Sequence, residues 1–325
     1  MNLSVVGLGM ASKVGGTEDL EQLLTGRLIN PNDLSSSRAV SVDIPADSGL
    51  PQQLLRRMGH FAKISVLSAC RAIGDSGLEI RDRSVGIIQG SVYGPISAGI
   101  QSFDDLIDFG DNQLSPTNFS GSVFNTAATY LSLAYGIQGP TLTHTSGLDT
   151  LFNSLLTASL WLDDGIDYVI LGVGDEYTPY FDNYDLAEDA TGLLPTGEGW
   201  TTFVLSREDQ AKYGKIRYGS LTAPPETKNR PTIYSIWHER IRDAILVNHA
   251  QANRACFPVW LRGSYPSAAA FDLGLALICA KNRRFPSDPA AGGNYQLQDL
   301  KDDEIVCCYN PLENHGLAYY EILTD

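Results

Sequence analysis

The sequence predicts an α/β protein built on βαβ units, and three observations carry that prediction. Tyr168-Val169-Ile170-Leu171-Gly172-Val173 is a nearly continuous apolar run, as a strand buried on both faces requires. Thr150 to Leu162 repeats apolar residues at steps of three and four, with Leu151, Leu155, Ala158 and Leu162 on one helical face. Before that helix come a β-prone run, Thr141 to Thr145, and a turn, Ser146 to Asp149. Strand, turn, helix and strand in this order make one βαβ unit.

The bulk properties bound the rest. The chain has 325 residues, 43% of them hydrophobic, which suffices for one large α/β domain or two fused halves. Charged residues are 19% and no low-complexity tract is present, which argues against disorder. A formal charge of −15 makes nucleic acid and anionic membranes poor partners. Cysteines 70, 256, 279, 307 and 308 mostly lie in apolar runs, and they read as small buried residues of a reducing compartment. No CxxC pair suggests zinc. No signal peptide or spanning run is legible, so a soluble cytoplasmic protein is expected.

Taken in order, Leu3 to Gly9 reads as a strand entering a glycine turn. Gly7-x-Gly9 is a weak dinucleotide signal: Ser12 stands where a third glycine belongs and no acidic residue follows at the right distance. No cofactor is expected. Thr17 reads as the N-cap of a helix with Leu20, Leu23 and Leu24 inward. Residues 28–52 read as loop. A long helix opens at Arg56-Arg57-Met58-Gly59-His60 and runs through Ala72, with His60 capping or packing and nothing placing a carboxylate beside it. Val85 to Ser91 is a second buried strand. Thr201 to Leu205 reads as strand, Ser206 to Tyr213 as helix and Lys215 to Tyr218 as strand. Then come a helical pattern over Thr232 to Leu246, a strand at Phe257 to Leu261 and an apolar helix over Ser267 to Ala280. Glu304–Tyr309 and Ala318–Leu323 close the chain as paired strands.

The elbow at Ser146–Asp149 puts a side chain at a helix N-terminus, where unpaired N–H groups favour an anion. That suits a nucleophile, yet no thiol is there. Around it, Gly139-Pro140-Thr141-Leu142-Thr143 and Asp167 to Gly174 resemble the active-site region of the β-ketoacyl synthases, in the thiolase-like superfamily. So do Val5-x-Gly7-x-Gly9, Leu24-Thr25-Gly26-Arg27, Arg56 to Ala62, Val85 to Ser91 and Leu194 to Trp200. Asn125, Ala127, Ala128, Ser132 and Gly136 fit a further motif of that family. The resemblance implies a layered α-β-α-β-α fold from two similar halves. Residues 1–222 would form the first half and residues 223–325 a shortened second. Counted without a gap, Leu148 stands where the family has its acyl-accepting cysteine, and a one-residue slip gives Gly147 or Asp149.

Condensing members also need two histidines and a lysine. Val259 stands in the lysine's place and Ser264 in one histidine's; His249 lies near the other but without its motif, and reads as a surface or packing residue. The family's terminal glycine-rich loop is replaced by Asn310 to Gly316. These joint losses resemble the chain-length factors, the β subunits of type II polyketide ketosynthases. The resemblance implies a non-condensing subunit that pairs with an active ketosynthase α subunit through Thr141, Leu142, Thr143, His144 and Thr145. Phe119, Phe124, Tyr130 and Leu148 are then candidates for shaping the acyl tunnel. An acidic surface should dock an acidic acyl carrier protein poorly, so that contact would go through the partner. Two other readings stand beside this one: a homodimeric acyl-binding or scaffold protein, and a Ser-dependent acyl-transfer enzyme using Ser146 and His144.

Overall fold

The apolar runs become strands, and most of them join one sheet. In the computed structural model the described residues are 2–26, 39–45, 52–80, 83–110, 115–180, 196–209, 211–222, 230–235, 255–286, 297–313 and 316–324. The first half contributes β1 (Asn2–Ala11), β2 (Ala39–Val40), β3 (Val85–Gly90), β4 (Thr141–His144), β5 (Tyr168–Asp175), β6 (Thr196–Gly197) and β7 (Gly199–Ser206). After it come β8 (Lys215–Leu221), β9 (Thr232–Tyr234), β10 (Ala255–Cys256), β11 (Arg284–Pro286), β12 (Leu297–Asp299), β13 (Val306–Pro311) and β14 (Leu317–Leu323). The helices are α1 (Thr17–Leu24), α2 (Gln52–Leu55), α3 (His60–Ser76), α4 (Ile96–Phe109), α5 (Pro116–Gly121), α6 (Thr126–Tyr135), α7 (Thr150–Asp163), α8 (Val259–Arg262) and α9 (Ala269–Asn282).

Among the described residues, ten strands form a sheet in the order β10-β9-β13-β14-β8-β1-β7-β5-β3-β4. The order repeats. Read outward from β1, the first half runs β1-β7-β5-β3-β4, with two antiparallel and then two parallel pairings. Read outward from β8, the second runs β8-β14-β13-β9-β10, with the same sequence of pairings, so in this pattern β8 groups with the later strands although the expected first half, residues 1–222, included it. β1 and β8 join the halves antiparallel, from Asn2↔Arg217 to Ser4↔Lys215. The unit that begins at β4 returns by α7 to β5, and β3 lies between the two parallel strands.

The layering follows from which helix faces are apolar. α9 is buried continuously from Ala269 to Ala280, as a helix that is hydrophobic all round must be. It shares one core with Leu151, Leu155, Ala158 and Leu162 of α7, with Leu171 and Phe203 of the first half, and with Cys308 and Tyr320 of the second. Tyr218 Oη on β8 donates to the Leu155 carbonyl at 3.1 Å. α7 and α9 thus form the middle layer. On the far face of the first half, α3 and α6 pack a second core through Phe61, Ile64, Ala128 and Leu131. The α3 backbone presses close: a Cβ on Gly9 would lie 2.1 Å from the Ser68 carbonyl, so that glycine serves helix–strand approach rather than a phosphate.

Several local expectations are corrected. The long helix begins at His60, because Arg56 and Arg57 form a turn after α2, and it runs on to Ser76. The α1 N-cap is Gly16, whose N–H donates to Asp19 at 2.7 Å; Thr17 instead bonds the Leu8 carbonyl. Among the described residues, 206–213 hold no helix: the end of β7 passes through turns into β8. Thr232 to Tyr234 is strand, Ser235 follows it outside any helix with its N–H on the Tyr309 carbonyl at 2.8 Å, and 236–246 lie outside the described residues. Strand pairing ends at Cys256, and Pro258 opens the helical turn α8 where a strand was expected. The closing strands do pair, from Val306↔Ile322 to Pro311↔Leu317.

Candidate functional site

The elbow lies where the two halves meet. β4 ends at His144, and a 3₁₀ turn, Gly147–Asp149, leads into α7. Gly147 adopts φ +54°, and a Cβ there would come within 2.1 Å of Glu313 Oε1. Glycine therefore meets both a backbone and a space requirement. Thr150 Oγ1 accepts from the Ser146 N–H at 3.0 Å and donates to the Gly147 carbonyl at 2.8 Å, which closes the turn.

The second half seals this turn. The Leu148 N–H donates to Glu313 Oε1 at 2.9 Å, and Asn310 Nδ2 donates to the Leu148 carbonyl at 3.0 Å. The Glu313 N–H in turn donates to Asp149 Oδ1 at 2.9 Å. A carboxylate of the chain itself therefore occupies the donor that a helix N-terminus offers to an anion. Leu148 is half-buried.

Behind the elbow lie buried charges. Asp175, at the end of β5, accepts from Ser91 Oγ (2.6 Å), the Val92 and Tyr93 N–H groups (both 3.0 Å) and the Ser267 N–H (3.2 Å), so it ties the halves together. Burial pushes its carboxyl pKa up, against the hydrogen bonds that hold it down. Burial likewise raises that of Glu176, which accepts from the Ser97 N–H at 2.9 Å. Glu198 gathers the Val42 N–H (2.6 Å), the Tyr177 N–H (2.7 Å) and His60 Nε2 (2.8 Å). This corrects the expectation for His60: a buried carboxylate stands beside it, and that hydrogen bond raises the imidazole pKa against the opposing effect of burial. Arg262 and Asp272 form a fully buried two-point ion pair at 2.7 and 2.8 Å, and the carboxylate keeps the guanidinium charged.

The other sequence-predicted residues are scattered. Val259 is buried on α8, and Ser264 bridges to Thr196 at the end of the short β6. His144 Nε2 meets Thr157 Oγ1 at 2.9 Å, so the ring is already engaged, and burial lowers its pKa, which favours the neutral form. His249 lies outside the described residues. Cys256, Cys279, Cys307 and Cys308 are buried, as the apolar runs suggested, while Cys70 is partly so. Burial raises the Cys307 thiol to about 11. Tyr130 Oη donates to the Arg57 carbonyl at 2.7 Å. Phe119 and Phe124 are exposed on this chain, 60% and 43%.

That exposure belongs to a larger face. β4 is the last strand of the sheet, with β3 on one side and none of the described strands on the other. Leu142 of β4, Leu133 of α6, and Leu156 and Leu160 of α7 are exposed beside it. α4 and α5 contain no buried residue, although Phe103, Leu106, Ile107 and Phe109 line α4.

Glu313 and the Glu198–His60 contact were missed in the sequence. Glu198 carried a usable signal, a lone carboxylate between two glycines at the start of a buried strand; Glu313 carried none. Among the described residues no group of His, Cys, Asp and Glu could hold a metal, and no helix is long and apolar enough to cross a membrane.

Comparison with known proteins agrees with this layout. Residues 34–214 match the family model for the β-ketoacyl synthase N-terminal domain. The 3-oxoacyl-[acyl-carrier-protein] synthase 2 of Coxiella burnetii is 28% identical over 182 residues, 52% of this chain and 44% of that protein. The Vibrio harveyi protein of the same name is 26% identical over 151 residues, 42% of this chain and 36% of its own length. The matched region is thus less than half of either relative. The crystal structure of a β-ketoacyl synthase from Burkholderia phymatum STM815 aligns over 99% of this chain and 100% of its own, with TM-score 0.73 and 15% identity. The ishigamide ketosynthase/chain length factor aligns over 100% and 99%, with TM-score 0.75 and 16% identity. At such identities the likeness is one of fold.

Proposed function

The chain belongs to the β-ketoacyl synthase family, and from that premise we propose that it is a non-condensing, chain-length-factor-like subunit that pairs with an active ketosynthase. The observation that carries this reading is the sealed elbow. Condensation needs a nucleophile at the helix N-terminus and free donors for the carbonyl oxyanion. Leu148 supplies no nucleophile, and its N–H is bound to Glu313. Val259 and Ser264 offer neither the lysine nor the histidine that the family uses.

The free edge of β4 and the apolar surface around it support pairing. A second subunit can continue the sheet at Thr141–Thr145 and cover α4, α5 and α6. In that assembly Phe119, Phe124, Tyr130 and Leu148 shape the inner end of a tunnel whose chemistry the partner performs. The carrier protein then docks on the partner. Likeness to the ishigamide ketosynthase/chain length factor is consistent with such an assembly.

Native mass spectrometry of the tagged protein from its own cells tests the reading. A one-to-one complex with a cysteine-bearing ketosynthase is expected. A homodimer without such a partner would overturn it in favour of an acyl-binding or scaffold role.

A further inference from the structure

The net negative charge of this chain traces to one stretch. Residues 84–206 hold 15 acidic side chains and no Lys or Arg, so the other 23 acidic residues are balanced by all 23 basic ones. Of the 15, Asp175, Glu176 and Glu198 are buried and five lie outside the described residues, which leaves Asp104, Asp105, Asp108, Asp149, Asp163, Asp164 and Asp167 at or near the surface. The same stretch builds β4, the uncovered helices α4 and α5, and the outer faces of α6 and α7. Asp104 and Asp108 are exposed on α4 among its apolar residues, and Asp163 and Asp164 lie one turn beyond exposed Leu160. Cationic groups border the region, Arg83 over the Tyr168 ring among them. Arg207 binds Asp163 at 2.6 Å, and the Arg56–Arg57 turn meets α6 through Tyr130.

We propose that this face is built for a different chain, whose contact surface sets Lys or Arg around an apolar centre, and that it selects against a second copy of this chain. The inference rests on the partner-subunit reading and adds the chemistry of the partner's face. Two copies meeting at β4 would bring together surfaces from a stretch that has acids and no bases of its own. Like charges opposed across an interface suppress the wrong partner, while complementary ones steer and align the right one. The edge strand and apolar helices alone would accept either partner, so the charge decides between them.

The test uses the purified full chain and the complex isolated from its own cells. Sedimentation velocity of the chain alone, from low salt to about 1 M where screening reaches about 3 Å, should show no stable homodimer at low salt. Self-association should rise about tenfold or more as salt increases. A tight homodimer at low salt that loosens with salt would overturn the proposal. The double variant Asp104→Lys/Asp108→Lys alters exposed positions. It should self-associate more readily and hold its partner about tenfold more weakly, and the unaltered complex should loosen as salt rises. A partner held with no response to salt or to charge reversal would overturn the charge argument and leave the partner-subunit reading standing. A salt-induced self-associating monomer that captures no ketosynthase would support exclusion of like copies while sinking the partner-subunit reading.

Discussion

The backbone N–H of Leu148 is held at 2.9 Å by the carboxylate of Glu313, 165 positions later in the chain. Asn310 grips the carbonyl of the same residue. Both hydrogen-bonding groups of the elbow residue are thus satisfied from the opposite half, and that amide offers no free donor.

Removing the carboxylate should cost stability. Glu313→Ala is expected to destabilise by about 1 kcal/mol, the scale of a lost helix cap, seen as a lower urea midpoint. On the non-condensing reading, parent and variant should both lack condensing activity. An unchanged midpoint would show that the contact contributes nothing to folding.

Leu148→Ala, assayed in the complex with the active partner, should leave turnover largely intact, because Leu148 offers only bulk. Lost turnover in an assembled complex would sink the steric role. Leu148→Cys should still fail to condense in the isolated chain, since Val259 and Ser264 are unchanged; carbon–carbon bond formation measured by product mass would contradict this.

Phe124 packs against Gly94, where a Cβ would sit 2.6 Å from the ring, and its outer side is open. Phe124→Ala should lengthen the products of the complex. An unchanged product distribution would remove Phe124 from the tunnel floor.

The His60–Glu198 contact predicts a pH dependence. The folded-state pKa of His60 is raised above 6.5 by its hydrogen bond to Glu198. Its contribution is therefore full below about pH 6.5 and declines as pH rises through the raised folded value. Solvent reaches the imidazole, so the contribution is about 0.5–1 kcal/mol. The gap in urea midpoint between the parent and His60→Gln should be wider at about pH 6 than at about pH 9, and an equal gap would refute the assignment.

Breaking the buried pair should be severe. Arg262→Met or Asp272→Leu alone leaves an uncompensated charge and should cost about 3–5 kcal/mol. The double variant should lose less than the two losses added, measured by chemical unfolding. Simple additivity would mean that the ions are not coupled.

The first half was legible because its elements are long and periodic. Leu151, Leu155, Ala158 and Leu162 pointed inward as their spacing required, and β3, β5 and β7 fell on their apolar runs. The second half was harder to read for a physical reason. Phe257 to Leu261 is a short apolar run, which fits a buried strand or a helical turn equally well, and Pro258 decided for the turn. Thr232–Tyr234 is strand through pairing with β13, a contact over 70 residues away. The sealed elbow was invisible because its partner comes from a loop at the far end of the chain. His60 and Glu198 are likewise 138 positions apart.

The uncovered helix α4 also bears on how the protein persists in a cell. Phe103 and Ile107 are 67% and 78% exposed, so this amphipathic segment gains little from docking on its own body. An orphan copy displays the kind of surface that quality-control machinery recognises and that drives aggregation. Covering that surface stabilises the folded chain by mass action. On the partner-subunit reading, its lifetime, and with it the stoichiometry of the assembly, would follow the supply of the chain that covers α4.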